Sequence, residues 1–415
     1  MRNEATHLLR QLEDCMDTPT EPKRKLFINY DRSFLITITA LVLFGLVVLF
    51  SASQAIGYVE FSSSFYFFKH QLLELMLGII AFVFFAAYDY HKLLGKSGLI
   101  GGFGALLLVL VLVPHLGVSI NGSQRWLMLG PLFIQPAEIA KLTLTIYTAA
   151  WLARRKETIN NFREGFLPYM IISFCACMLV VIEKDLGTTL ILGAIFVASY
   201  IIAGGRWRYT LLYFALLILF ALLLIVLEPY RIARLEAFFN PWQHALGKGF
   251  QQVQSLLAIG SGGIVGQGLG HSISSYLWIP EGETDFIAAI LGQEAGFVGI
   301  TLLLLLFGAF AFYGYRIAIK APDKFGMILA GAVTSWIVVQ AVINLSAVSS
   351  LVPVTGVPLP FVSYGGSSLI SVLAGSGILM NISKQGVISK WDNDAQHSNS
   401  SRRYRRSYIS RFGRG

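Results

Sequence analysis

Charge is scarce in this sequence. Asp, Glu, Lys and Arg supply 13% of 415 residues, about half the share in ordinary soluble domains, and a soluble chain of this length is excluded on that ground. Disorder is excluded by the opposite excess: 55% of residues are hydrophobic and 13% aromatic, whereas disordered chains have few aromatics and dense charge. Cysteine is sparse as well. Cys15 sits in a polar N-terminal tail and Cys175 and Cys177 in an apolar run, which leaves no framework for extracellular disulfides and no metal-ligand cluster. His244 and His271 lie too far from any Cys or second His to form a zinc site by spacing. No repeat of fixed period is visible, so an inverted-repeat transporter is disfavoured. The Gly-x-Gly between Gly260 and Gly270 lacks a preceding strand and reads as flexible loop, not as a dinucleotide site.

What the chain does have is bilayer patterning. Apolar stretches run over 33–53, 71–89, 97–115, 136–153, 167–182, 187–203, 207–227, 286–315, 325–347 and 362–383. Each approaches the roughly 20 residues a helix needs to cross about 30 Å of hydrocarbon. The expected fold is therefore an all-α polytopic membrane protein of about ten transmembrane helices. The first 32 residues are too long and too polar for a secretory signal peptide, so the first span is expected to stay as an anchor. Placing the N-terminus in the cytoplasm puts 25 of the 32 Lys and Arg residues on the inner side. Only Lys69, Arg125, Lys141, Lys184, Arg231, Arg234 and Lys248 remain elsewhere, and both termini are expected to be cytoplasmic. The layout is then a tail over 1–32, a membrane domain over 33–383 with one large outer loop over 228–285, and a basic, disordered cytoplasmic tail over 384–415. The net charge of +9 sets topology and holds that last tail near anionic lipid; it does not point to nucleic acid.

An ionisable residue in a span is costly unless it finds a partner or water. Glu138 and Lys141, three apart near the outer end of the fourth span, fit two readings: a buried ion pair, or a Lys141 that faces an outward cavity and binds phosphate while Glu138 fixes it. Asp185 follows Glu183 and Lys184 in a short outer turn, where a helix cap explains it as well as a binding role does. Glu281, Glu283 and Asp285 close the long loop before the eighth span, which also holds Glu294. Asp285 is either an N-cap or a general base whose pKa is raised by apolar surroundings. Arg231 and Arg234 share one face of a short amphipathic helix, suited to lipid head groups or to a pyrophosphate. Residues 352–361 carry Pro353, Pro358 and Pro360 and run into Ser363-Tyr364-Gly365-Gly366-Ser367-Ser368. Such a backbone belongs inside protein or along a wet cavity.

Taken in order, Ser51-Ala52-Ser53, Arg125-Trp126, Gln135-Pro136 with Glu138 and Lys141, Asp185 to Thr188, Asn240-Pro241, Gly260 to Gly263, Pro280-Glu281, Thr284 to Ile287 and Ser363 to Ser368 resemble the SEDS family of polytopic cell-wall polymerases. The resemblance covers about residues 30–385. Tyr30-Asp31-Arg32 and Tyr230-Arg231 look most like its division members, while the elongation members share most other motifs. The resemblance implies an inverting peptidoglycan glycosyltransferase that polymerises lipid II at the outer face of the cytoplasmic membrane during septal synthesis. It implies a class B penicillin-binding transpeptidase and other division-complex membrane proteins as partners, and leaves room for a divalent cation, Mg or Mn. Asp285 takes the catalytic place. Lys141, Glu138, Arg125, Arg231, Arg234, Asp185, Ser363 and Ser367 take substrate-binding places. A lipid II flippase and a non-catalytic scaffold are the alternatives, and neither needs a base at position 285. Three departures from the family pattern stand out: Glu283 where His is common, Ala288 where an aromatic is common, and Lys184 where proline often precedes the aspartate. Glu283 is expected to raise the pKa of Asp285 or to offer a further ligand to a divalent ion.

Overall fold

The computed structural model describes residues 30–386 except 115, 121–122, 130–131, 227–228 and 273–278. Most of both expected cytoplasmic tails therefore lies outside the described residues. The chain opens with α1 (Arg32–Phe61), capped by the Asp31 carboxylate, which accepts from the Ser33 and Phe34 N–H groups and so satisfies donors that a helix start leaves unpaired. There follow α2 (Tyr66–Ala87) and α3 (His91–Leu112), then a three-stranded antiparallel meander of β1 (Gly117–Ile120), β2 (Ser123–Leu129) and β3 (Leu132–Ile134). Next come α4 (Pro136–Arg154), a single π-helical turn over Phe162–Phe166, α5 (Leu167–Ile182), α6 (Leu186–Ile202) and α7 (Trp207–Val226). The long segment after α7 contributes α8 (Pro229–Phe239) and α9 (Phe250–Gly262); the chain then completes α10 (Ile287–Ile319), α11 (Lys324–Val348) and α12 (Gly366–Gly386).

A helix lies over every expected span. Among the described residues, eight helices are long and apolar enough to cross a membrane; α6 is a shorter apolar helix, and α4 buries Glu138, Lys141 and three threonines. α6 is strongly apolar and falls short only in length, whereas α4 is less apolar because of where it stands. α4 and α6 pack against α11, and most of α11 and α12 is buried inside the protein. A helix surrounded by other helices matches its polar groups to them rather than to lipid. α7 shows the contrast, fully burying only Tyr213 and Leu224 and exposing much of its apolar surface, Leu211, Phe214, Leu219, Leu222 and Leu223 among it.

The glycine-rich stretch expected to be flexible loop is ordered. Its first part ends α9, and the turn that follows fits into a break in α10. At Gly296 the backbone takes φ 62° and ψ −155°, which interrupts the helical ladder and frees peptide groups that cannot remain unpaired at this depth. The turn pairs them. Gln267 and Gly268 N–H groups donate to the carbonyls of Gln293 and Glu294, each at 3.0 Å, while the Phe297 and Val298 N–H groups donate to the carbonyls of Gly263 (2.9 Å) and Ile264 (3.1 Å). Glu294, buried in α10, accepts from the Ser51 hydroxyl of α1 at 2.6 Å and from the Gly270 N–H at 3.2 Å. The segment between α9 and α10 is thereby fastened to the first helix.

Candidate functional site

Asp285 sits in a tight turn immediately before α10. The Glu281 carbonyl accepts from the N–H groups of Thr284 (3.2 Å), Asp285 (3.0 Å) and Phe286 (3.2 Å), with Glu281 itself at φ 56°. Phe286 occupies the N-cap position and no side chain caps α10, so the capping reading of Asp285 does not hold. Its carboxyl has another setting. Asp285 is half-buried, and the extended 352–360 segment passes so close that a Cβ on Gly356 would lie 3.6 Å from Oδ2. Burial pushes the Asp285 pKa up to about 7; Glu281 and Asp185 add to that, while Arg125 and Arg234 oppose it. Desolvation and neighbouring charge are two of the three ways an environment alters a carboxylate, hydrogen bonding being the third.

The opposite wall is the turn before α6. Asp185 is 1% exposed and caps the helix, Oδ1 accepting from the Thr188 N–H at 3.0 Å and Oδ2 from the Thr188 hydroxyl at 3.0 Å. The Gln135 amide donates to the same Oδ2 at 3.4 Å. Arg125 reaches this turn from β2, which is what the meander accomplishes. Its guanidinium donates to the carbonyls of Glu183 at 3.4 Å and Lys184 at 2.5 Å, and lies 3.9 Å from Asp185 Oδ2. Glu183 is almost fully buried, neither of its carboxylate oxygens has a hydrogen-bond partner, and burial, aided by Asp185, pushes its pKa up to about 8.

Several expected substrate contacts turn out to be internal. Lys141 is 0% exposed and does not face an outward cavity: Nζ donates to Glu138 Oε1 at 2.7 Å and to Gln340 Oε1 at 2.7 Å. The buried ion pair prevails because Gln340 completes it; that same Oε1 accepts from Trp336 Nε1 at 3.0 Å, and the Gln340 amide donates to the Pro358 carbonyl at 2.9 Å. The pair therefore braces the proline-rich segment. Arg231, 9% exposed, donates to the Leu224 carbonyl at 2.7 Å, a carbonyl that the end of α7 leaves unpaired. Arg234, one turn on, is the arginine of α8 whose field reaches Asp285. The Ser363 hydroxyl accepts from the Leu359 N–H at 2.8 Å and the Ser367 hydroxyl from the Gln135 N–H at 3.3 Å, so both act as backbone staples. Glu283 does not join Asp285: its charged neighbours are Glu281 and Glu60, and with burial they raise its own pKa. The expectation that Glu283 tunes Asp285 is thus transferred to Glu281. Among the described residues no three His, Cys, Asp or Glu side chains stand together to hold a metal ion.

Two residues of this site carried no sequence signal that charge-based reading detects. Gln340 and Asn344 are neutral amides one turn apart in an otherwise apolar span, and that spacing was the available clue. Asn344 donates to the Asp285 carbonyl at 2.8 Å and to the Val357 carbonyl at 2.7 Å.

Comparison with known proteins agrees with this architecture. Residues 31–387 match the FTSW_RODA_SPOVE family, described as Cell cycle protein. The chain is 42% identical over 352 residues to Stage V sporulation protein E of Bacillus subtilis, covering 84% of this chain and 96% of that protein. It is 39% identical over 386 residues to the probable peptidoglycan glycosyltransferase FtsW of Thioalkalivibrio sulfidiphilus, covering 91% and 95%. Its fold is similar to a chain solved in "Structural coordination of polymerization and crosslinking by a peptidoglycan synthase complex", with TM-score 0.70, 30% identity and coverage of 87% and 99%. The rod shape determining protein RodA of Thermus thermophilus gives TM-score 0.64 at 27% identity, covering 86% and 98%. The chain belongs to the FtsW/RodA/SpoVE family.

Proposed function

We propose that this protein is a peptidoglycan glycosyltransferase of the cytoplasmic membrane, acting on lipid II at the outer face in septal wall synthesis, with Asp285 as general base. The observation that carries the reading is the Asp285 carboxyl: it has no capping duty, it is half-buried at the outer end of α10, and its pKa of about 7 matches the pH at which it would work. A base is most effective when its pKa lies near the operating pH. In the reaction the 4-hydroxyl of one lipid II attacks the anomeric carbon of a second, with inversion. Asp285 takes the hydroxyl proton, the new C–O bond forms, and the bond to undecaprenyl pyrophosphate breaks with the electron pair leaving on the phosphate. Arg125 and Arg234, whose fields reach Asp285, supply positive charge toward the departing pyrophosphate. Lys141, Glu138, Ser363 and Ser367 serve by holding the 352–368 segment in place, and Asp185 by holding the turn that Arg125 grips.

The ten-span layout, cytoplasmic termini and outer loop belong to the same proposal, as does pairing with a class B penicillin-binding transpeptidase and other division proteins. The similarity to a chain of a peptidoglycan synthase complex supports that pairing. The test is polymerisation of purified lipid II by the protein with its transpeptidase partner. Asp285→Asn is expected to lower the rate by about 10²- to 10⁴-fold, the usual contribution of a general base, with membrane level and partner binding intact. Retention of activity within a few-fold would sink the base assignment and favour a flippase or scaffold.

A further inference from the structure

We propose that Asn344 is a positioning residue for the transfer reaction, holding the backbone of Asp285 against the extended 352–360 segment so that its carboxyl keeps one geometry among its neighbours. This rests on the reading of Asp285 as base. Asn344 lies in α11 and is 2% exposed. Its amide nitrogen spends both hydrogens on carbonyls, Asp285 at 2.8 Å and Val357 at 2.7 Å, so a single side chain joins the turn that presents the base to the 352–360 segment that flanks it. Val357 precedes Pro358, and Gly356 is the residue that passes beside the carboxyl. One turn earlier, Gln340 holds the Pro358 carbonyl but makes no bond to the Asp285 turn. Among the described residues Asn344 is the side chain that bonds to both, beside a backbone tie from the Tyr364 N–H to the Glu283 carbonyl at 2.9 Å.

The chemistry of an amide suits this task narrowly. An NH₂ group has two donors fixed in one plane, which a hydroxyl lacks and a carboxylate reverses. An aspartate at 344 would set oxygen against two carbonyl oxygens. The Asn344 Oδ1 has no hydrogen-bond partner, so this amide is placed by its donor side. The groups that bear on the Asp285 carboxyl come from separate elements: Glu281 from its own turn, Asp185 from the α6 cap, Arg125 from β2 and Arg234 from α8. With four charges converging from four directions, a small displacement of the turn alters every distance at once, and a misplacement of about 1 Å at a reacting centre costs about 10²-fold in rate.

The experiment uses the full chain with its transpeptidase partner and purified lipid II, with rates normalised to the folded fraction from thermal unfolding. Asn344→Ala is expected to lower kcat by about 10- to 100-fold with KM for lipid II little changed. Release of the turn should expose the carboxyl to water, which lowers its pKa toward the ordinary carboxylate value and moves the acid limb of the rate to lower pH. Asn344→Ser, which keeps one donor, should shift kcat and the limb in the same direction by less, and it serves where the alanine variant is unstable. A fall in rate that only tracks the folded fraction, with the acid limb unmoved, would overturn the proposal, as would wild-type kcat in both variants. Asp285→Asn is measured alongside. Full activity there removes the base reading itself, whereas an inactive Asp285→Asn beside an unaltered Asn344→Ala removes only the positioning role.

Discussion

At Asp285 two like charges and two opposite charges act on a carboxyl that burial has already raised to about 7. The direction of each neighbour is therefore testable on its own. Activity that requires the ionised base rises with pH through that value, so the acid limb of the rate should lie near neutrality. Glu281→Gln removes a negative neighbour, favours the ionised form and should move the limb to lower pH. Arg234→Gln removes a positive one and should move it to higher pH, with an added loss of rate if the guanidinium also meets the leaving group. Glu283→His should leave the limb where it is, because Glu283 answers to Glu60 and Glu281 instead. The measurement is the pH profile of lipid II polymerisation for the three variants. A limb that follows Glu283 and ignores Glu281 would show that the turn places the wrong carboxylate beside the base.

At the scale of elements, the polar core acts as a brace. α4 contributes Glu138 and Lys141, α11 contributes Gln340 and Asn344, and between them they fix the segment that precedes α12. Lys141→Met would leave Glu138 buried without its cation and Gln340 Oε1 with the Trp336 indole N–H as its remaining donor. Breaking one side of a buried ion pair costs about 3–5 kcal/mol. Thermal stability and activity should fall together, and the double variant Glu138→Gln with Lys141→Met should recover part of the stability. Lost polymerisation at unchanged melting temperature would instead point to direct contact between Lys141 and the substrate. Elements also mark the limit of sequence legibility. Long apolar helices announce themselves because lipid demands it, whereas β2 holds seven residues and its neighbours four and three, too short for an alternation to register. The break at Gly296 was equally hidden, since one glycine among several in the span, with Gly292 and Gly299 close by, gives no sign that a distant turn will fill a gap there. Asp285 stood out beside acidic residues at a helix start, but there a cap and a base were equally good readings and only the family resemblance gave it the catalytic place; Arg234 was not separable from Arg231 until α8 showed which of them closes α7.

For the whole molecule, everything said of Asp285 depends on which side of the bilayer its turn occupies, because lipid II polymerisation at the outer face requires the 228–285 loop to be outside. The orientation rests on the Lys and Arg bias, a cytoplasmic preference that short loops obey strongly, and on the helical course that carries α10 from that loop to Arg316, which pairs with Asp31 ahead of α1 at 3.0 Å. Asp31 and Arg316 thus lie together at the end of α10 remote from Asp285. In a background with Cys15, Cys175 and Cys177 replaced, Leu246→Cys in the outer loop, fully exposed, should react with a membrane-impermeant maleimide in intact cells stripped of their outer layers. Lys156→Cys, exposed between α4 and α5, should react only after permeabilisation. Labelling in the reverse order would put Asp285 in the cytoplasm, where the proposed acceptor and donor chains do not meet, and the glycosyltransferase reading would fall with the topology.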